Sequence, residues 1–384
     1  MIYKRKTVIV LISVWVLCFA FFGFIAKYSL PAAAENRKSV ISDCEENIKL
    51  TESMLTKSYD KSDTVQNKER QSLRERIDCL QGIIDGINKG HWEKRVQNSI
   101  RRLESELNGD NQITTGRSEA QNELALNKAL IAYRAAPRDF AEDGISSIYA
   151  FLKDWLFFLL PLCAMLLTSD LIAGERASGS IKLLLQKRKT RASLYARKFG
   201  DGLWRTLAAI LSAVLGAFAG GTIFGAGIGS LNYPVLYRSG YEQTWKIFLL
   251  CLPILLLSSA FYTTLGLFLS TLFHSRALSV AASTAGVFAF VFFGRKTVTA
   301  TCGNLWQLSP FECSDVLTTV LGKFSVPDQE TLTSPAVGLT AINLSGFTDI
   351  PAALPLWGCV LMLSGWFALF LIIGICIFKR KDLV

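Results

Sequence analysis

The sequence predicts an all-α integral membrane protein with six transmembrane helices and a large, coiled-coil-like extracytoplasmic insertion between spans one and two. Three observations predict it. The 384 residues are 51% hydrophobic, with mean hydropathy +0.33, too apolar for one soluble domain of ordinary composition. The apolar residues gather into six runs, each long enough to cross a hydrocarbon core of roughly 30 Å. The formal charge of +10 sits in short basic clusters between those runs.

In order, the runs cover 7–26, 155–173, 203–224, 247–273, 277–294 and 354–378. Unpaired backbone polar groups are costly in lipid, so apolar runs of this length must be helices. The insertion, 27–150, is nearly neutral, with 19 Lys and Arg against 20 Asp and Glu. The chain thus divides into 1–26 (N-terminus and first span), 27–150 (external helical domain) and 151–384. That last part holds five spans, a cytoplasmic segment 174–200 and an external, re-entrant segment 295–353.

Basic residues in the short connections set orientation. With the N-terminus inside, segments 4–6, 174–200, 274–276 and 379–384 hold 15 Lys and Arg, against five in 225–246 and 295–353. Both termini are then cytoplasmic, and the chain is a multi-pass plasma-membrane protein. Charge in this pattern orients a membrane protein and argues against a nucleic-acid partner. Lys4–Lys6, an apolar run and Ala32-Ala33-Ala34 also fit a cleaved signal peptide. The ~20-residue run favours a retained anchor, because signal cores are shorter.

Within the insertion, Leu73, Ile77, Leu80, Ile84 and Ile87 alternate steps of four and three, a heptad seam. Val96, Ile100, Leu103 and Leu107 repeat it after Gly86 and Gly90, and Ile41, Cys44, Ile48 and Leu55 add a shorter stripe. Turn signals stand at 60–63 and 108–111. An antiparallel helical hairpin or small bundle follows. Its stripe describes a core, so a stalk or dimer contact is the plainer role than ligand binding.

Nine cysteines lack any CxxC pair, so neither a metal site nor a redox motif is indicated. Five lie in spans as small packing residues. An oxidising exterior would allow disulfides Cys44–Cys79 and Cys302–Cys313. Gly216, Gly220, Gly221 and Gly225 are spaced for close helix packing. Asp170 and Arg205, at the inner ends of adjacent spans, are candidates to pair.

The most informative stretch is the second cytoplasmic connection. It leaves the bilayer near Ala173 and breaks at Gly174 and Ser178-Gly179. Ser180 can cap a short helix with Ile181, Leu184 and Leu185 on its apolar side, and a basic run follows. Glu175, Ser178-Gly179-Ser180, Lys182, Leu184-Leu185, Arg191 and Lys198 resemble the ABC type-2 transporter permeases. The family's frequent proline after the Leu-Leu pair is replaced by Gln186-Lys187-Arg188-Lys189. Residues 306–311 and the apolar 316–326 stretch resemble the family's extended connection before its last span.

The resemblance implies the membrane-spanning subunit of a bacterial ABC exporter. It implies a dimer with a second copy or paralogue, docked on cytosolic ATPase subunits. Glu175, Ser178, Gly179, Ile181, Lys182, Leu184, Leu185 and Arg191 would form the coupling element, with Lys187–Arg191 near lipid headgroups or an acidic ATPase surface. The chain has no G-x-x-x-x-G-K-[ST] loop, no G-x-S-x-G elbow and only two histidines. It is therefore expected to be no enzyme and to hold no cofactor or metal, with ATP bound by the partner. The competing functions are an ATP-driven or passive anchor that signals through the external domain, and, ranked last, an ion-coupled carrier. The few polar groups in the spans favour hydrophobic or amphipathic cargo.

Overall fold

A computed structural model describes residues 2–57, 64–108, 117–139, 141–180, 190–237, 240–273, 275–289, 310–321 and 355–380. Five helical stretches among these are long and apolar enough to cross a membrane: Lys6–Thr56, Gly144–Ala177, Arg191–Phe224, Thr244–Leu272 and Leu356–Arg380. The expected fifth run is occupied by a shorter helix, Arg276–Ala289, and residues 290–294 lie outside the described residues.

Helix α1 (Ile2–Lys57) is unbroken for 56 residues, although Pro31 removes one ladder bond. The boundary expected at residue 27 is therefore not a break. The first apolar run passes directly into the polar stretch that follows, which is held as helix by packing on α2. Next come α2 (Thr64–Asn88), α3 (Trp92–Asn108) and α4 (Arg117–Tyr133). Each packs on its predecessor, a meander of helices. Gly90, at φ +69°, makes the turn between α2 and α3, a conformation that suits glycine.

The α1–α2 seam buries Cys44, Leu80 and Ile83. Ile83 was not in the heptad reading, because a 3.6-residue helix drifts off a strict 3.5 repeat. The expected Cys44–Cys79 bridge is absent: both are free thiols. Cys44 faces Leu80, and Cys79, one residue earlier, is turned about 100° around the helix. Cys313 is buried, and Cys302, and with it the expected Cys302–Cys313 bridge, lies outside the described residues.

The second span begins at α5 (Gly144–Ala150), eleven residues before the apolar run at 155. Asp143 caps it, accepting from the Ser146 amide at 2.6 Å while Ser146 Oγ accepts from the Asp143 amide at 2.7 Å. A π turn at Phe151–Trp155 leads into α6 (Leu156–Thr168), then α7 (Ala173–Ala177). Helix α8 (Arg191–Phe224), an antiparallel hairpin of β1 (Pro234–Tyr237) and β2 (Gly240–Gln243), and α9 (Thr244–Leu272) follow. The remaining helices are α10 (Arg276–Ala289), α11 (Pro310–Cys313), α12 (Val316–Leu321) and α13 (Leu356–Arg380). The hairpin departs from the all-helical expectation. It lies outside the apolar runs, and Tyr133 Oη on α4 donates to the Tyr241 carbonyl at 2.8 Å.

The second span is the centre of the bundle. Its most apolar window is 83% buried, against 17% for α1 and 11% for α13. Leu156, Leu160, Cys163 and Ala164 meet Ile210 and Ala213 of α8 and Ile254 and Phe261 of α9. Outward residues such as Ile12, Val16, Leu361 and Ile372 are exposed. On a spanning helix such surface faces acyl chains and carries no water penalty.

Candidate functional site

One face of the bundle gathers the ends of the second span, α1, α8, α9, α10 and α13. Span two leaves its apolar core at Thr168, and in the turns that follow the Ile172 and Ala173 amides bond outside their own helix. Neighbours supply the partners. Ser270 Oγ of α9 accepts from the Ile172 and Ala173 amides at 3.0 and 2.9 Å. Ser279 Oγ of α10 donates to the Ser169 carbonyl. Hydroxyls meet such backbone groups where the alternative is an unpaired donor in an apolar surrounding.

Asp170 is the hub of this face, with its side chain 1% exposed. Its Oδ2 accepts from Lys6 Nζ of α1 at 2.9 Å and from Arg276 Nε and Nη2 at 3.1 and 3.0 Å. Lys6 Nζ also donates to the Leu166 carbonyl at 3.0 Å. The expected Asp170–Arg205 pairing gives way to these two cations. They come from the start of α1 and of α10, which the fold packs beside the end of span two.

Glu175, on α7, forms an ion pair with Lys198 of α8, both side chains mostly buried. Helix α7 then stops. Ser178 Oγ and Ser180 Oγ donate to the Glu175 carbonyl at 3.2 and 3.3 Å, and Gly179 takes φ +72°. The Ser180 hydroxyl thus turns back toward α7. Ile181, Lys182, Leu184 and Leu185 lie outside the described residues, so their expected helix is not part of this description. The chain is described again at Thr190, whose Oγ1 caps α8 by accepting from the Ser193 amide at 3.2 Å. Arg191 does not join Glu175: its Nη1 donates to the Lys379 carbonyl at 2.7 Å, binding the start of α8 to the last turn of α13.

The four glycines of α8 serve two separate contacts. A methyl group at Gly216 would lie 2.6 Å from the Trp15 carbonyl, and one at Gly220 would lie 2.5 Å from the Phe19 carbonyl, both on α1. Gly221 and Gly225 instead approach the Asp143 and Glu142 carbonyls before α5. Backbones this close leave no room for a Cβ, so α8 is wedged between the first and second spans.

The opposite face joins the spans to helices α2–α4. Glu142 N donates to Ser29 Oγ of α1 at 2.9 Å, and Ala226 N donates to the Glu142 carbonyl at 2.8 Å. Asp139 accepts from Arg37 Nε of α1 at 3.1 Å and from Arg95 Nη1 of α3 at 2.7 Å. The Arg138 guanidinium lies 4.0 Å over the Tyr233 ring and pairs with Asp143 at 3.2 Å. Burial pushes the Glu142 carboxyl above its ordinary value and the Tyr233 phenol likewise.

Among the described residues no group of three His, Cys, Asp or Glu side chains could hold a metal ion. Sequence reasoning singled out Glu175, Asp170 and the glycines, but missed Lys6, Arg276, Ser270 and Asp139. The charges of Lys6 and Arg276 were visible only as orientation signals, because their common partner is remote in sequence.

A bundle of helices long and apolar enough to cross a membrane defines a polytopic membrane protein. The model of the ABC-2 family transporter proteins matches residues 2–383, so the chain belongs to that family. No curated protein matches it.

Proposed function

We propose that the chain is the permease subunit of an ABC exporter, coupling ATP hydrolysis by a separate cytosolic ATPase to movement of an amphipathic or hydrophobic substrate. It spans the plasma membrane six times, with α10 belonging to the fifth span. Both termini are cytoplasmic and the helices α2–α4 external. It works as a dimer with a second copy or a paralogue, in contact with membrane lipid. ATP is bound by the partner, and this chain contributes no catalytic residue, cofactor or metal.

The observation that carries this reading is the Glu175–Lys198 pair at the mouth of the basic 181–189 segment, in a chain matched over nearly its whole length by one transporter family. Segment 174–191 then acts as the coupling element. A push from a docked subunit on Glu175 passes to α8 through Lys198, and to α13 through Arg191. Glu175→Lys places two cations together and is expected to lower ATP-driven transport about tenfold while leaving insertion and abundance unchanged. Transport assays in inverted vesicles check this, and an unaltered rate would remove Glu175 from the coupling element. Co-purification of an ATP-binding cassette subunit with the wild-type chain tests the partnership itself. Exclusion of thiol reagents from the cytoplasmic segments of intact cells tests the orientation.

The external domain supports a second reading: ATP-driven signalling through α2–α4. The unbroken passage of α1 from the first span into that domain favours it.

A further inference from the structure

The geometry points to Asp170 as a positioning residue for transport. Its buried carboxylate clamps α1 and α10 to the coupling end of span two, so that movement of that end travels along α1 into the external helices. This rests on the permease reading above.

Four observations lead there. First, Asp170 is almost wholly buried and its one oxygen Oδ2 receives cations from two other elements, at 2.9 Å from Lys6 and 3.0 Å from Arg276. A buried carboxylate held by two charges resists separation, because each cation withdrawn takes away a charge-assisted bond that water scarcely replaces at so buried a site. Second, Asp170 stands five residues before Glu175, and the Gly174 amide donates to the Asp170 carbonyl at 2.8 Å. Carboxylate and coupling helix thus share one short, hydrogen-bonded turn.

Third, α1 is clamped again on the far side. Arg37 binds Asp139, which also holds Arg95 of α3. The 31 residues from Lys6 to Arg37 span about 46 Å of helix, close to the full thickness of a bilayer with its headgroups. Ser29 braces the stretch beside Pro31 through its bond with Glu142. Fourth, the distal part of α1 is itself a wall of the external domain, with Cys44 against Leu80 and Ile83 of α2. A displacement at Lys6 therefore has a continuous route along α1, through apolar packing to α2 and through the Asp139 ion pairs to α3. No step in that route depends on the residues between 181 and 189.

The experiment uses the full chain in lipid nanodiscs with the ATPase that co-purifies with it. Hydrogen–deuterium exchange of the peptides covering 70–108 is compared between nucleotide-free and ATP–vanadate-trapped states. In the wild type, exchange in these peptides is expected to change with nucleotide by about fivefold or more. Asp170→Asn should abolish that difference while ATPase binding and hydrolysis persist. Because Asp170→Asn leaves two cations facing a neutral site, the triple variant Asp170→Asn, Lys6→Gln, Arg276→Gln serves as the neutral control, and it should also lose the difference. Lys6→Arg with Arg276→Lys keeps both charges and should retain it.

A clamp that served only stability would change overall exchange in both nucleotide states alike. That result, or a nucleotide-dependent difference undiminished in the triple variant, overturns the inference and leaves the permease reading intact. A wild-type chain whose 70–108 peptides ignore nucleotide overturns it too. A wild-type chain that brings down no ATPase overturns the permease reading, and this inference with it.

Discussion

The two faces of the bundle are built alike and differ in depth. On each, one aspartate gathers two cations, and one of those cations belongs to α1. Asp170 takes Lys6 and Arg276, and Asp139 takes Arg37 and Arg95. The Asp170 side chain is 1% exposed and that of Asp139 is 12% exposed, with Arg37 half in solvent. Water screens the Asp139 cluster and scarcely reaches the Asp170 carboxylate. The same arrangement is therefore a strong tie on one face and a modest one on the other. Helix α1 is thus held tightly at its Asp170 joint and more loosely at its Asp139 joint.

The contrast can be broken most severely where neither clamp acts. Gly220→Leu puts a branched side chain where even a methyl would sit 2.5 Å from the Phe19 carbonyl. It should force α1 off α8 at a cost of about 3 kcal/mol, the upper range for overpacking. A lowered Tm and loss of monodisperse protein in detergent would register it, and a wild-type melting curve would refute the packing assignment. Next in size comes the comparison of the clamps. Asp170→Asn should destabilise the chain by about 2–3 kcal/mol, and Asp139→Asn by about 1 kcal/mol, because removing one partner of a buried pair costs more than removing one near water. Thermal melts of both variants in one detergent decide the order, and a larger shift for Asp139→Asn would reverse the argument.

The smallest effect belongs to a pair with no burial. Asp85 of α2 and Lys89, one residue past its end, lie a turn apart, their side chains 65% and 63% exposed. Asp85→Ala should leave the Tm within error, and added salt should not separate it from the wild type. A clear shift there would mean that charge on α2–α4 matters more than burial does.

The spans themselves were legible because an apolar run long enough for the bilayer has few alternatives to helix. The breaks at Gly90 and Gly179 were legible too, since each needs a left-handed backbone that glycine adopts cheaply. Other features resisted. The continuity of α1 past residue 27 was hidden by a change in composition, although polar residues propagate a helix as well as apolar ones do. The heptad reading reached Leu80 and Ile87 but passed over Ile83, which the drift of a 3.6-residue helix brings into the seam. Cys44 and Cys79 looked like a pair by location alone. Their directions on two packed helices keep them apart.

What the sequence determined by itself, then, was where the chain is helical, which stretches are apolar enough for lipid, and where small residues permit close approach. These depend on neighbours a few residues away. Only the tertiary structure decided which helix lies against each glycine of α8, and that Asp170 meets Lys6 and Arg276, 164 and 106 residues distant. The physical reason is range. Backbone hydrogen bonds and side-chain periodicity are local and leave their mark in the order of residues. A buried charge chooses its partner from whatever the packing of whole helices brings within about 3 Å.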